Sequence, residues 1–394
     1  MTAGRYSLTI SLLLTVTTLS QPGQAAPVPE AAASEAQRMA EYTVDTVLGT
    51  GQPDANGDAG AGREMNIGDP FGVEIDPDGN LVVTEVRNHR IWQLDLDTGQ
   101  ARVIVGTGRQ GHSGDGGTPR QADLNEPYEV RFDGQGNLFW VEMQNHIVRK
   151  LDRATQVVET IAGTGQPGYG GDGGPARQAQ LNQPHSIALD GTGGLLIADI
   201  GNHRIRRVDL KSGTITSIAG SAQRQLPQPG QIAADHPVLG PRALYVTPAG
   251  IWVALREGHS VWRLAGEPLR WEPVAGSGRG GYADSLTGGA AGMLAGEFNG
   301  PKGLCLDPTG RIVVVDTENH AIRQIDVTAQ TLTTIAGGGP NLGGFSGDGG
   351  PAPAGRFNRP HGVCCAPDGT IYIGDTLNHR VRVLRPRSAP PAAR

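Results

Sequence analysis

Aromatic side chains are scarce in this chain of 394 residues, with Phe, Tyr and Trp together only 5%. Set against 60 glycines, that scarcity describes a turn-rich protein of many short strands rather than a helical core. Charge of one sign is never concentrated. A net charge of −6, spread without blocks, argues against nucleic acid as the main partner. No long apolar run is present beyond Leu8 to Leu19, which is too short and too Thr-rich to span a bilayer comfortably. Nor do the motifs supply a nucleophile triad, a complete metal shell or paired acids at working distance, so no reaction class is indicated. Cysteine occurs three times only, as Cys305, Cys364 and Cys365.

What the chain does contain is repetition. Prolines at 70, 127, 184, 241, 301 and 360 each open a unit, at spacings of 57, 57, 57, 60 and 59 residues. That period is too long for a helical solenoid and suits propeller blades. In the third unit, Ser186 to Leu189, Leu195 to Asp199, His203 to Val208 and Thr214 to Ala219 read as four short strands between Gly, Asn and Asp turns. One such antiparallel sheet cannot bury both apolar faces alone, whereas six packed radially can. The last unit lacks a fourth strand after Arg380 to Leu384. Tyr42 to Gly49, ahead of the first proline, matches the fourth strands Gln330 to Gly337 and Thr214 to Gly220. It is therefore expected to complete blade six and close the ring.

Units of the form Gly-Asp-Gly-Gly-Pro-Ala followed by Asn-His-Arg-Ile resemble NHL repeats. The best copies are Gly171 to Ala176 with Asn202 to Ile205, and Gly347 to Ala352 with Asn378 to Val381. The resemblance covers about 42 to 385. It implies an all-β, six-bladed propeller of four-stranded blades, in a family found among bacterial secreted proteins that includes ligand-binding modules, protein-interaction platforms and a few enzymes.

Arg5, the apolar stretch and the small residues of Gly23-Gln24-Ala25 predict a signal peptide over 1–25. A lead-in over 26–41, the propeller over 42–386 and a tail over 387–394 follow. The expected location is the periplasm or beyond, with no membrane span after cleavage.

Long connections between blades share a face with the starts of the inner strands. The residue after each opening proline is therefore placed on the rim of the central channel. Around the ring these are Phe71, Tyr128, His185, Arg242, Lys302 and His361. Two cations, two histidines and two aromatics, with no carboxylate, suit an acidic small molecule or a carboxylate side chain of a partner protein. The plainer reading is that the basic chains extend into water and the histidines bond to nearby loops. The degenerate loops 221–240 and 278–300 make Arg224 and Tyr282 further candidates on the same face.

Two metal alternatives follow from resemblance. Pro184-His185 and Pro360-His361 resemble the segments with which the amidating-lyase family of propellers holds zinc, although that family draws on three histidines and only two stand here. Lactonase-type propellers hold calcium with channel oxygens, for which Glu74 and Glu129 are the available acids, with Arg131 beside them. No cofactor is the main expectation, with Zn or Ca as the alternative.

The remaining polar repeats read as structural. Glu85, Glu142, Asp199, Asp316 and Asp375 each precede an Asn-His pair three residues later, and identical use in five blades cannot build one asymmetric site. Asp115, Asp172 and Asp348 of the Gly-Asp-Gly-Gly loops read as turn caps, with weak calcium contact as the alternative. Cys305 and Cys364 hold equivalent places on adjacent blades, as buried thiols or as a bridge. The sequence thus describes an exported propeller that binds a ligand or protein partner without catalysis of its own, with a metal-dependent propeller enzyme as the alternative.

Overall fold

The computed structural model describes residues 41–285 and 288–387. The predicted signal peptide, nearly all of the lead-in and the end of the tail lie outside the described residues. Six antiparallel sheets follow one another around a ring. Blade three, for example, is Pro184–Leu189, Gly194–Asp199, Arg204–Asp209 and Ile215–Ala219, paired in sequence order. The four innermost-to-outermost strands are only five or six residues long because the Asp-led turns end them. In the first turn, Asp76 accepts from the N–H groups of Asp78 and Asn80 at 2.9 and 2.8 Å, and Gly79 takes φ 89°.

Blade six is composite. Val363–Cys365, Ile371–Asp375 and Arg380–Pro386 come from the end of the propeller, and Tyr42–Leu48 supplies the outer strand. The register runs from Tyr42 opposite Pro386 to Leu48 opposite Val381, so the ring closes as the sequence indicated. Two elements were not foreseen. Ala59–Ala61 adds a fifth strand to the outer edge of blade one, and a short helix, Ala290–Ala295, packs in the connection between blades four and five.

Burial divides into six apolar clusters, each between adjacent blades. Ala188, Leu196, Val253, Leu264 and Trp271, for instance, join blades three and four. The inner strands of blades five, six and one approach so closely that glycine is required. A Cβ on Gly303 would overlap the carbonyl oxygen of His361, and one on Gly362 that of Phe71.

The repeated acids are buried hubs. Asp199 accepts from the Asn182 N–H at 2.7 Å and from Asn202 Nδ2 at 2.8 Å, and Asn202 also reaches the carbonyl of Gly168 in the incoming loop. Glu85, Glu142, Asp316 and Asp375 do the same for their own blades. To this capping, which the sequence indicated, the structure adds a buried arginine in each of these five blades. Arg90, Arg149, Arg206, Arg323 and Arg382 each join the hub acid to a loop aspartate: Asp58, Asp115, Asp172, Asp284 and Asp348. The Gly-Asp-Gly-Gly aspartates are therefore partners of arginine. Blade four replaces the pair by Leu255 and Trp262, whose indole N–H turns to Ser260 at 2.9 Å.

Every repeat histidine, including His259 of the degenerate blade, bridges to its neighbour. His89, His146, His203, His259, His320 and His379 each accept, through Nδ1, the backbone N–H of the residue before the next blade's opening proline, at 3.0 to 3.3 Å. Those donors, Glu126, Gln183, Gly240, Gly300, Arg359 and Asp69, all have φ between 47° and 61°. The turn so formed delivers the chain to the channel.

Candidate functional site

In blades one to five the inner strand starts at its proline, which has no N–H to contribute to the ladder, and in blade six Pro360 stands three residues before Val363. In blades one to five the pairing register then slips before resuming two or three residues later, as between Pro184 and Ile187. A bulge of this kind re-aims the side chain that follows. The result is that Phe71, Tyr128, His185, Arg242, Lys302 and His361 meet at the long-loop mouth of the channel, forming a layer across it. Phe71 stacks on His361 with ring centres 3.9 Å apart and meets Tyr128 at 4.4 Å. Tyr128 in turn meets the edge of His185 at 4.9 Å and lies beneath the Arg242 guanidinium at 5.6 Å. Five of the six are buried, and Tyr128 is half-buried.

The two histidines share one construction. His185 Nδ1 lies 2.7 Å from the carbonyl of Gln183, and His361 Nδ1 lies 2.9 Å from that of Arg359. A carbonyl only accepts, so Nδ1 carries the proton and Nε2 is an acceptor in both. Burial, then the neighbouring cations, holds both rings well below the usual histidine range, so they are neutral near pH 7. Their Nε2 atoms differ. That of His361 receives Lys302 Nζ at 3.3 Å, whereas that of His185 has no hydrogen-bond donor among the described residues.

The two cations also differ. Lys302 is paired with Glu318 at 2.9 Å, and burial lowers it to about 8. Arg242 is only 3% exposed, yet among the described residues it has neither an ion pair nor a hydrogen bond, and its Nε is buried without a partner. Burial lowers it to about 10, which leaves it a cation at neutral pH. Around this layer stand Arg256 with Glu257, Arg359 with Glu318, and the carboxylates of Asp69 and Glu126 on the side of Tyr128. Sequence reasoning did not find Arg256, Arg359 or Glu318, because they lie outside the position after proline.

Other candidates fall elsewhere. Tyr282 hydrogen-bonds Thr334 at 3.1 Å and lies over Arg323, as part of a blade hub rather than the mouth. Arg224 contributes charge near His203. Glu74 and Glu129 share Arg131 at 3.3 and 2.9 Å toward the other end of the channel. Neither implied metal fits these donors. The Nε2 of His361 is committed to an ammonium, the third histidine position carries other side chains, and both channel acids are tied to one guanidinium. Among the described residues no group of three or more His, Cys, Asp or Glu side chains could hold an ion. Cys305 Sγ approaches Cys365 at 2.8 Å, so its neighbour is Cys365 and not the sequence-equivalent Cys364. Cys364 packs in the cluster between blades six and one.

Three comparisons bear on this architecture. The NHL repeat profile matches residues 181–208, 298–325 and 357–384. NHL repeat-containing protein 2 of Gallus gallus is 27% identical over 353 residues, covering 80% of this chain and 46% of that protein. The chain thus spans about half the length of NHL repeat-containing protein 2. Among solved structures, an auxiliary nutrient binding protein of Bacteroides thetaiotaomicron superposes with TM-score 0.63 at 16% identity, covering 88% of this chain and 77% of that one. A gluconolactonase of Xanthomonas campestris superposes with TM-score 0.55 at 13% identity, covering 90% and 93%. At these identities the likeness is one of fold.

Proposed function

We propose that this chain, a six-bladed propeller carrying NHL repeats, is a binding module that takes an acidic ligand at the long-loop mouth of its channel and does no chemistry on it. The observation that carries the reading is Arg242. A buried guanidinium without an anionic partner is costly, because desolvation is not repaid by pairing. Among the described residues every other buried arginine is paired with at least one carboxylate. An acidic small molecule, or a carboxylate side chain of a protein partner, supplies what Arg242 lacks. Tyr128 and Phe71 give the ligand an aromatic wall.

The similar folds include an auxiliary nutrient binding protein and a gluconolactonase, so the fold accommodates both binding and catalysis. The choice for binding rests on the donor set at the mouth, which offers no metal shell. Export is part of the same reading and is supported by the signal-peptide pattern of 1–25. It places the propeller of 42–386 in the periplasm or outside the cell.

Thermal denaturation with a panel of small mono- and dicarboxylates and phosphate tests the reading, with uncharged amides as controls. Acidic ligands are expected to raise the melting temperature of the wild type and not that of Arg242→Gln. A ligand at one hundred times its Kd adds about 2.7 kcal/mol. Equal shifts in both proteins, or none from any acid, would overturn it.

A further inference from the structure

The two histidines of the mouth act as each other's control. Both are anchored through Nδ1–H on the carbonyl two residues upstream, and both present Nε2 as an acceptor. For His361 the chain itself supplies the donor, Lys302 Nζ at 3.3 Å. For His185 the adjacent rim positions are Tyr128, whose ring meets it edge to face, and Arg242, which does not reach it with a hydrogen bond. Among the described residues the mouth therefore holds one cation and one acceptor without partners, on the neighbouring blades four and three.

From this we infer that the ligand is a hydroxycarboxylate: its carboxylate lies on Arg242 and its hydroxyl donates to Nε2 of His185. This rests on the anion-binding reading above and narrows it to a chemical class. A ligand with a carboxylate alone would satisfy Arg242 and leave His185 without a donor. An amino acid would offer N–H donors, but the charges acting on His185 are those of Arg242, Arg256 and Lys302, which oppose an ammonium there. A neutral hydroxyl carries no such cost. Tyr128 touches both groups, with its ring 4.9 Å from that of His185 and 5.6 Å from the Arg242 guanidinium, so the two share one neighbour in the layer. The Phe71–His361 stack closes the layer on the far side, which confines the ligand to the sector of blades two to four.

The test is calorimetric titration of the 26–394 chain with glycolate, L-lactate and D-lactate against acetate, propionate and L-alanine. The wild type is expected to bind at least one hydroxy acid roughly fivefold to tenfold more tightly than its deoxy analogue, the worth of one hydrogen bond. His185→Phe is expected to keep carboxylate binding and reduce that preference to about one, while Arg242→Gln loses both acids. The Nε2 nitrogen resonance of His185, followed in histidine-labelled wild-type protein, is expected to move with lactate and not with propionate, which keeps the inference testable if a variant fails to fold. Equal affinity for lactate and propionate, or a preference that survives His185→Phe, overturns the hydroxycarboxylate assignment while the anion site stands. Binding of neither acid by a folded wild type removes the anion site and the assignment together.

Discussion

The arginine hubs allow a quantitative test because blade four shows what the protein does without one. In Arg206→Met, the Asp199 carboxylate is left at 0% exposure, with hydrogen bonds from Asn182 and Asn202 but no cation. Breaking a buried pair from one side costs about 3–5 kcal/mol. For roughly 345 ordered residues at about 2.1 cal/mol/K each, the unfolding entropy is about 0.7 kcal/mol/K, so the melting temperature should fall by about 4–7 °C. The double variant Asp199→Leu/Arg206→Met, which follows the Leu255 and Trp262 solution of blade four, removes both charges. It orphans the Asn182 N–H, at about 1–3 kcal/mol, and should therefore lose less than the single change. Acidity supplies a second handle. Burial has already pushed Asp199 up to about 6 in the presence of Arg206, above its value in an unfolded chain. The stability this proton contributes is complete below the unfolded value, near pH 4, and is lost as the pH rises through 6. Losing the arginine raises the carboxyl further, so the defect of Arg206→Met should be larger at pH 8 than at pH 5. Urea titration followed by circular dichroism at both values measures it. A single variant within 1 kcal/mol of wild type, or a double variant no better than the single, would refute the reasoning.

Three further outcomes are expected. Gly362→Ala should destabilise by about 2–4 kcal/mol and loosen the Phe71–His361 stack, since the new methyl overlaps the Phe71 carbonyl; a melting temperature unchanged from wild type would contradict the close approach. Lys302, lowered to about 8 by burial, faces Glu318, His361, Arg242 and Arg359, and its charge is present below that pH and lost above it. Acid binding should therefore weaken about threefold to tenfold between pH 7 and 9.5, and Lys302→Met should flatten the profile. Under a mild thiol oxidant, peptide mass mapping should find Cys305 joined to Cys365 and Cys364 free to alkylation; a Cys305–Cys364 link would contradict the observed pairing.

The fold was legible because the same residues recur six times, so weak local signals reinforced one another. Proline before each inner strand, and Asn-His after the second strand in five of the six blades, located blade edges to within a few residues. The rim was legible for the same reason, since one position per unit had to converge. What stayed hidden depended on contacts between distant segments. Arg206 looks like any polar residue in the alternation His-Arg-Ile-Arg, and only the incoming loop that carries Asp172 buries it. Cys365 was passed over for Cys364 because position in the repeat fixes a place along the strand, and the direction of the side chain is set by local register. Arg256, Arg359 and Glu318 had no repeated counterpart to draw attention to them.

The composite sixth blade imposes an order in time. The strand at 42–48 is synthesised near the beginning of the propeller and its partner at 380–386 near the end, so the first must wait for nearly the whole chain to emerge. Joining them closes a loop of over three hundred residues, which costs entropy only logarithmically in length but cannot happen early. The stacked pair Phe71 and His361 straddles that same seam, one residue from each side. A growing chain, or one clipped at either end, would carry most of its blades and still lack an assembled mouth. The layer of six would then be complete only after closure, whereas its Tyr128, His185 and Arg242 sector belongs to blades two to four, made before the last strand emerges.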